Sequence, residues 1–251
     1  MSACPDELHV VWKGKLAKAF TDTSLYHDIE GAIRSAKTTL ALWKVHRAVT
    51  QHPGVHWMAS RWSEDNLHAI VRPIWREKVC QRSSTPIEWD AREHCDVIRF
   101  PETDLVSRVY WRGLKSSEET NRYAKFRGLT LAGIYIDQAE EVPEDYWPEL
   151  QGRLSQVGYP HQIILTPNPP DHDHWIAKTF PDDNRRPNYT LIRLSTYDNA
   201  HNLPPEYIPS LEAAYPPGHA KRGPLLLGQR GLNVKGTPVY GSVFRRDLHV
   251  Q

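Results

Sequence analysis

The chain has 251 residues, 39% hydrophobic and 24% charged with nine tryptophans, a length and composition that suit one large globular domain, with or without a small appendage, and exclude a disordered chain. A formal net charge of +1 gives no general attraction to nucleic acid, and no stretch approaches the length of a membrane-spanning helix. Residues 1–16 lack the basic-then-apolar pattern of a signal peptide, and Cys4, Cys80 and Cys95 are not spaced as metal or redox pairs, so reduced thiols and an intracellular setting are expected.

Taken in chain order, Leu16-Ala17-Lys18-Ala19-Phe20 reads as a short helical turn. Ser24–Ile29 is expected to be a strand mainly from its position, because Tyr26-His27-Asp28 is a weak strand pattern. Gly31-Ala32-Ile33-Arg34-Ser35-Ala36-Lys37-Thr38 fits the phosphate-loop pattern G-x-x-x-x-G-K-[ST] except that Ala36 replaces the second glycine. Such a loop turns its backbone N–H groups, from Gly31 to Thr39 here, around nucleotide phosphates. Lys37 is then expected to reach the β and γ oxygens, and the Thr38 hydroxyl to ligate Mg²⁺. A helix over 38–49 with apolar Leu40, Leu42, Trp43, Val45, Ala48 and Val49 follows, so the loop sits at a helix start, and the 16–20 turn is placed to pack beside the nucleotide.

His52-Pro53-Gly54 closes that helix, and a strand over 55–60 leads through Arg61 to a helix over 64–79. Residues 83–90 read as loop. Two strands over 96–100 and 107–111 are expected to pair antiparallel across Pro101-Glu102-Thr103-Asp104, and 114–126 is polar and helix-compatible, ending at Arg127-Gly128. The most apolar run, 129–136, suits a strand buried on both faces and delivers Asp137-Gln138-Ala139-Glu140-Glu141 at its carboxyl end, where a Walker B aspartate must stand to hold Mg²⁺ or its water.

A helix over 144–154 and a buried strand over 161–166 follow, with Thr166 and Asn168 at the strand's carboxyl end as candidates to sense the γ-phosphate and pass the signal on. Asp171-His172-Asp173-His174 lacks further ligands at metal-site spacing. From residue 190 the chain is rich in Pro, Gly and Tyr, with one strand over 191–194 and one helix over 205–215, and reads as a small lid or linker subdomain; the expected division is an ATPase core over 1–189 and this subdomain over 190–251. Residues 219–251 hold Lys221, Arg222, Arg230, Lys235, Arg245 and Arg246 against Asp247 alone, the charge a phosphate-backbone contact requires. The expected fold class is α/β, a P-loop NTPase of RecA/ASCE-like type with a mainly parallel central sheet flanked by helices.

Four segments, residues 30–38, Gly-Ile-Tyr-Ile-Asp-Gln-Ala-Glu-Glu-Val-Pro at 133–143, Ile-Leu-Thr-Pro-Asn-Pro-Pro at 164–170 and Tyr-Asp-Asn-Ala-His-Asn-Leu-Pro at 197–204, together resemble the large terminase subunit of tailed bacteriophages across nearly the whole chain. The resemblance implies an ATP-driven motor, with ATP and Mg²⁺ as cofactors, that moves double-stranded DNA into a procapsid from the host cytoplasm. It implies a homo-oligomeric ring, a pentamer, meeting a portal protein and a small terminase subunit. Residues 236–244 with His249 look like the junction ahead of that family's nuclease domain, so an isolated motor domain without nuclease activity, or a naturally short protein, is expected.

The family's second Walker B acid falls at Gln138, an amide that cannot take a proton from water, so either Glu140 or Glu141 is expected to supply the carboxylate. Arg127, just before the Walker B strand where the family is thought to present a finger to the neighbouring subunit, is the first candidate to neutralise transition-state charge; Arg34, inside the loop, is the candidate acting in cis. Two other classes stay open: a nucleotide-binding assembly or docking module with little hydrolysis, which Gln138 favours, and a helicase-like translocase.

Overall fold

The structure, a computed structural model, describes residues 11–117, 120–183 and 186–231. Lys235, Arg245, Arg246, Asp247, the 236–244 junction, His249 and most of the amino-terminal segment lie outside them.

Eight strands form one sheet in the order β3-β4-β5-β2-β6-β7-β1-β8. In chain order they are β1 (Tyr26–Gly31), β2 (His56–Arg61), β3 (Glu88–Asp90), β4 (Cys95–Phe100), β5 (Leu105–Gly113), β6 (Gly133–Asp137), β7 (Gln162–Thr166) and β8 (Tyr189–Leu194). The helices are α1 (Gly14–Thr21), α2 (Lys37–Gln51), α3 (Glu64–Asn66), α4 (Arg72–Lys78), α5 (Ala124–Arg127), α6 (Tyr146–Gln151), α7 (Trp175–Thr179) and α8 (Tyr207–Ala214). From β5 to β8 every pairing is parallel, whereas β3-β4 and β4-β5 are antiparallel. The α/β class and the mainly parallel sheet are as the sequence implies, and the 96–111 hairpin is antiparallel as expected.

Parallel pairing brings the carboxyl ends of β1, β2, β6, β7 and β8 to one edge, which carries Gly31, Arg61, Asp137, Thr166 and Leu194. The core divides by sheet face. One side packs Leu16, Leu40, Val45, Trp75 and Trp111, the other Phe126, Tyr146, Trp147, Trp175 and Phe180.

Strand β1 is a poor strand by pattern, yet His27, Asp28 and Glu30 are all fully buried. Distant partners make this possible. Lys44 on α2 lies 3.2 Å from His27 Nδ1, and Arg193 and Arg230 converge on Glu30. Burial holds the His27 imidazole neutral, its pKa pushed down to about 3, and raises the Asp28 carboxyl well above its ordinary range beside Glu30.

Several expectations shift in detail. The 64–79 helix is interrupted by a π turn over Leu67–Val71, closed by Arg72 N–H donating to Leu67 O, because Pro73 at the start of α4 has no N–H and crowds the preceding turn. Residues 83–90 are not all loop, since Glu88–Asp90 adds an antiparallel edge strand to β4. Within the polar 114–126 stretch the described helix is only Ala124–Arg127; at its start Leu114 and Lys115 donate instead to Arg61 O and Trp62 O, which extends the β2 contact. Strand β6 begins at Gly133, where a Cβ would collide with the Trp57 ring, while Leu131 forms an isolated bridge with Leu154. The strand expected at 191–194 is not part of a separate cover but the edge of the central sheet beside β1. The division expected between residues 189 and 190 falls inside it, and its ladder ties both sides to the core.

Candidate nucleotide-binding site

The loop from Gly31 to Ala36 leaves β1 and enters α2. A Cβ on Gly31 would run into the Ser35 hydroxyl, so any side chain at the first glycine of the pattern would make Ser35 shift. Arg34 and Ala36 lie in the left-handed region, at φ 55° and 66°. Ala36 is the residue before α2 and offers no side-chain cap, so the first-turn N–H groups of α2, including those of Lys37, Thr38 and Thr39, are open to an anion. A cleft of about 440 Å³ opens over Arg34 to Thr39, walled by Trp12, Trp43 and Ile74. The expected 16–20 turn forms as part of α1 but buries Leu16 and Ala19 in the core, and Trp12, just ahead of that helix, lines the cleft instead.

The catalytic-type side chains meet at the sheet edge. Thr38 Oγ1 donates to Asp137 Oδ1 at 2.9 Å, joining the loop to the end of β6, and Tyr135 OH and Thr166 Oγ1 donate to the same oxygen at 2.8 and 3.3 Å. Lys37 Nζ donates to Gly31 O at 3.0 Å and to Asn168 Oδ1 at 3.0 Å. Burial lowers the Lys37 pKa, against the pull of the Glu140 and Asp137 charges. Asn168 in turn donates through Nδ2 to Glu140 Oε1 at 2.6 Å and through its backbone N–H to Glu140 Oε2 at 3.0 Å. Burial pushes the Glu140 carboxyl up to about 7, although the Lys37 charge and these hydrogen bonds act the other way.

The two glutamates are thereby separated. Glu140 belongs to the chain of contacts that ends on Lys37, whereas Glu141 is exposed, with an oxygen 3.7 Å from Arg61 Nη2. Arg61 also lies 3.5 Å from Asp137 Oδ2 and is buried. Sequence reasoning passed over Arg61; the available signal was its place as the last residue of β2, in register with Asp137. Gln138 turns at φ 48° and donates its N–H to Thr166 O at 3.2 Å.

The remaining candidates stand apart. Arg34 is exposed at the cleft. Arg127 is 52% exposed, 3.7 Å from Glu149 and 5.1 Å from the Tyr123 ring centre. It lies towards the amino end of β6: its carbonyl accepts from Arg153, whose own carbonyl accepts from Leu131 N–H ahead of that strand. His174 caps α7 through Nδ1 and contacts Glu140 O through Nε2 at 3.2 Å, a structural use of the Asp171–His174 stretch. Among the described residues no helix is long and apolar enough to cross a membrane.

A phosphate loop between the first strand and its helix, facing an acid at the end of a parallel strand two places away, defines a P-loop NTPase. Residues 97–220 match the family described as phage terminase large subunit. The large terminase of the thermophilic bacteriophage D6E in complex with ADP is similar in structure, with a TM-score of 0.71 and 18% identity over 87% of this chain and 53% of that one. Its complex with ATP-gamma-S gives 0.69 and 17% over 87% and 52%. The Thermus phage P74-26 large terminase ATPase domain gives 0.66 and 14% over 87% of this chain and 94% of that domain. The chain thus spans about half the length of the D6E terminase. No curated protein sequence matches it. The family match over residues 97–220 and the likeness in fold both point the same way, to phage large terminases and their ATPase domains as what this chain resembles.

Proposed function

We propose that this chain is the ATP-hydrolysing motor of a phage terminase large subunit, driving double-stranded DNA into a procapsid. The observation that carries the reading is the 2.9 Å contact between the Thr38 hydroxyl and Asp137, which brings the two motifs onto one point beside Lys37. That hydroxyl and carboxylate are the oxygen donors a hard cation takes when phosphate oxygens and water complete its shell, so Thr38 and Asp137 would hold Mg²⁺. When bound, the ion neutralises charge on the phosphates.

The chain's own residues supply the rest. Open N–H groups from the loop and the first turn of α2 bind phosphate, and Lys37 exchanges neutral carbonyl partners for charged oxygens. Glu140, with a pKa near neutrality, is the better placed of the two glutamates to take the proton of an attacking water, and Asn168 orients it. Thr166 and Asn168 touch Asp137 and Glu140 respectively, which suits them to report the γ-phosphate. Arg127 would act on a neighbouring subunit, with Arg34 the alternative in cis.

The DNA substrate, the pentameric ring, the portal and small-subunit partners and the host cytoplasm follow from the terminase reading. The D6E terminase complexes with ADP and ATP-gamma-S support the nucleotide. One observation favours an assembly module with little hydrolysis: Gln138 stands where an acid is usual. Phosphate release from Mg·ATP, with and without double-stranded DNA, separates the readings. Release stimulated by DNA supports the motor, and its absence supports the module.

A further inference from the structure

The Thr196–Asn202 turn sits against the phosphate loop. Thr196 Oγ1 donates to Ile33 O at 2.7 Å and Asn199 Nδ2 to Arg34 O at 2.7 Å, both from buried side chains. Asn202 Nδ2 donates to Asn199 Oδ1 at 2.9 Å, which commits the other end of the Asn199 amide to the loop. A capping box between Ser195 and Asp198 holds the turn itself, with Ser195 N–H donating to Asp198 Oδ2 at 2.7 Å.

A trans peptide is planar, with its C=O and N–H on opposite sides. Gripping the carbonyls of Ile33 and Arg34 therefore turns the N–H groups of Arg34 and Ser35 away from the turn, and Ser35 N–H does face back across the loop, 3.4 Å from Ala32 O. The loop has particular need of such a hold. Arg34 and Ala36 both carry side chains in the left-handed region, where only glycine is at ease, so the backbone by itself disfavours this path.

We propose that Thr196 and Asn199 are positioning residues for nucleotide binding: by gripping two loop carbonyls they set the peptide planes whose N–H groups receive the phosphates. This rests on the nucleotide reading given above. Neither side chain need touch the phosphates for the role.

The test is titration calorimetry with Mg·ADP on the full chain, alongside thermal unfolding. Wild type binds, and Asn199→Ala and Thr196→Val each weaken binding by about tenfold, the scale of one lost hydrogen bond. Thr196→Ser, which keeps the hydroxyl, restores wild-type affinity, and Asn199→Asp, which keeps the shape but loses the donor, binds as weakly as Asn199→Ala. If the alanine or valine variant fails to fold, the Asp and Ser variants decide. Variants that melt earlier yet bind Mg·ADP as tightly as wild type would give the turn a purely architectural role and overturn the proposal, as would a serine variant as weak as valine. A wild type that binds no Mg·ADP removes the nucleotide reading itself, and this proposal with it.

Discussion

Asn168 holds both oxygens of the Glu140 carboxylate, one through its side-chain amide at 2.6 Å and the other through its backbone N–H at 3.0 Å. The same side chain accepts from Lys37 Nζ, so one residue at the end of β7 links the phosphate lysine to the candidate base.

Glu140→Gln is therefore expected to abolish turnover while nucleotide still binds, and Glu141→Gln to leave most of it, since Glu141 is exposed and lies 3.7 Å from Arg61 rather than in the Lys37–Asn168 chain of contacts. Steady-state phosphate release with parallel binding measurements checks this; equal, mild losses would leave neither glutamate as the base. A pH signature follows as well. The folded-state pKa of Glu140 is raised to about 7 from 4.5, so the folded chain holds more protons than the unfolded one between those values. The associated stability is complete below the lower value and is lost as pH rises through the upper. Thermal midpoints of wild type minus Glu140→Gln should fall from pH 5 to pH 7.5.

Ala36 carries a methyl group at φ 66°, where the family pattern has glycine. Ala36→Gly should stabilise the fold by about 1 kcal/mol, because relief of left-handed strain, roughly 1–2 kcal/mol, is partly offset by the freer unfolded chain. Chemical denaturation reads the change. An unchanged or lower stability would mean that the loop does not hold this conformation.

Both motifs were legible because each is local: glycine, lysine and threonine at fixed spacing before a helix, and an acid ending an apolar run. Strand β1 was expected over 24–29 from its position and forms over Tyr26–Gly31, but how it buries His27, Asp28 and Glu30 could not be read, since their partners Lys44, Arg193 and Arg230 are brought near only by the fold. The role of Arg61 was missed for the same reason, its meaning lying in register with Asp137, and the 197–204 stretch stood out only as a family segment, its grip on the phosphate loop being a contact across some 160 residues of chain. Strand β8 was placed outside the core because the Pro- and Gly-rich stretch after it dominates the local composition, while its pairing with β1 is non-local.

Arg230 is 3% exposed and donates through Nε to Glu30 Oε1 at 2.7 Å, one residue ahead of Gly31. Arg230→Met should destabilise by about 3–5 kcal/mol, as expected when one partner of a buried ion pair is removed. Chemical denaturation measures the loss, and a small one would show that Arg193 alone satisfies Glu30.

A finger acting across a subunit boundary contributes only when a neighbour is present, and such fingers are worth on the order of 10³–10⁵ in rate. Specific activity should therefore rise with protein concentration, and Arg127→Ala should remove the rise without weakening ATP binding. Mixing Arg127→Ala with Lys37→Ala subunits, each inactive alone, should restore some hydrolysis. A mixture that assembles and stays inactive would transfer the role to Arg34.

Whether this edge of the sheet hydrolyses ATP, as proposed, is read by phosphate release from Mg·ATP by wild type and Lys37→Ala side by side, with circular dichroism confirming equal folding. Deleting the ammonium proposed to reach the phosphates should abolish release and leave the spectrum unchanged, because its hydrogen-bond partners are neutral oxygens, Gly31 O, Ala32 O and Asn168 Oδ1. Undiminished release by Lys37→Ala would contradict the account, since the activity would then arise elsewhere.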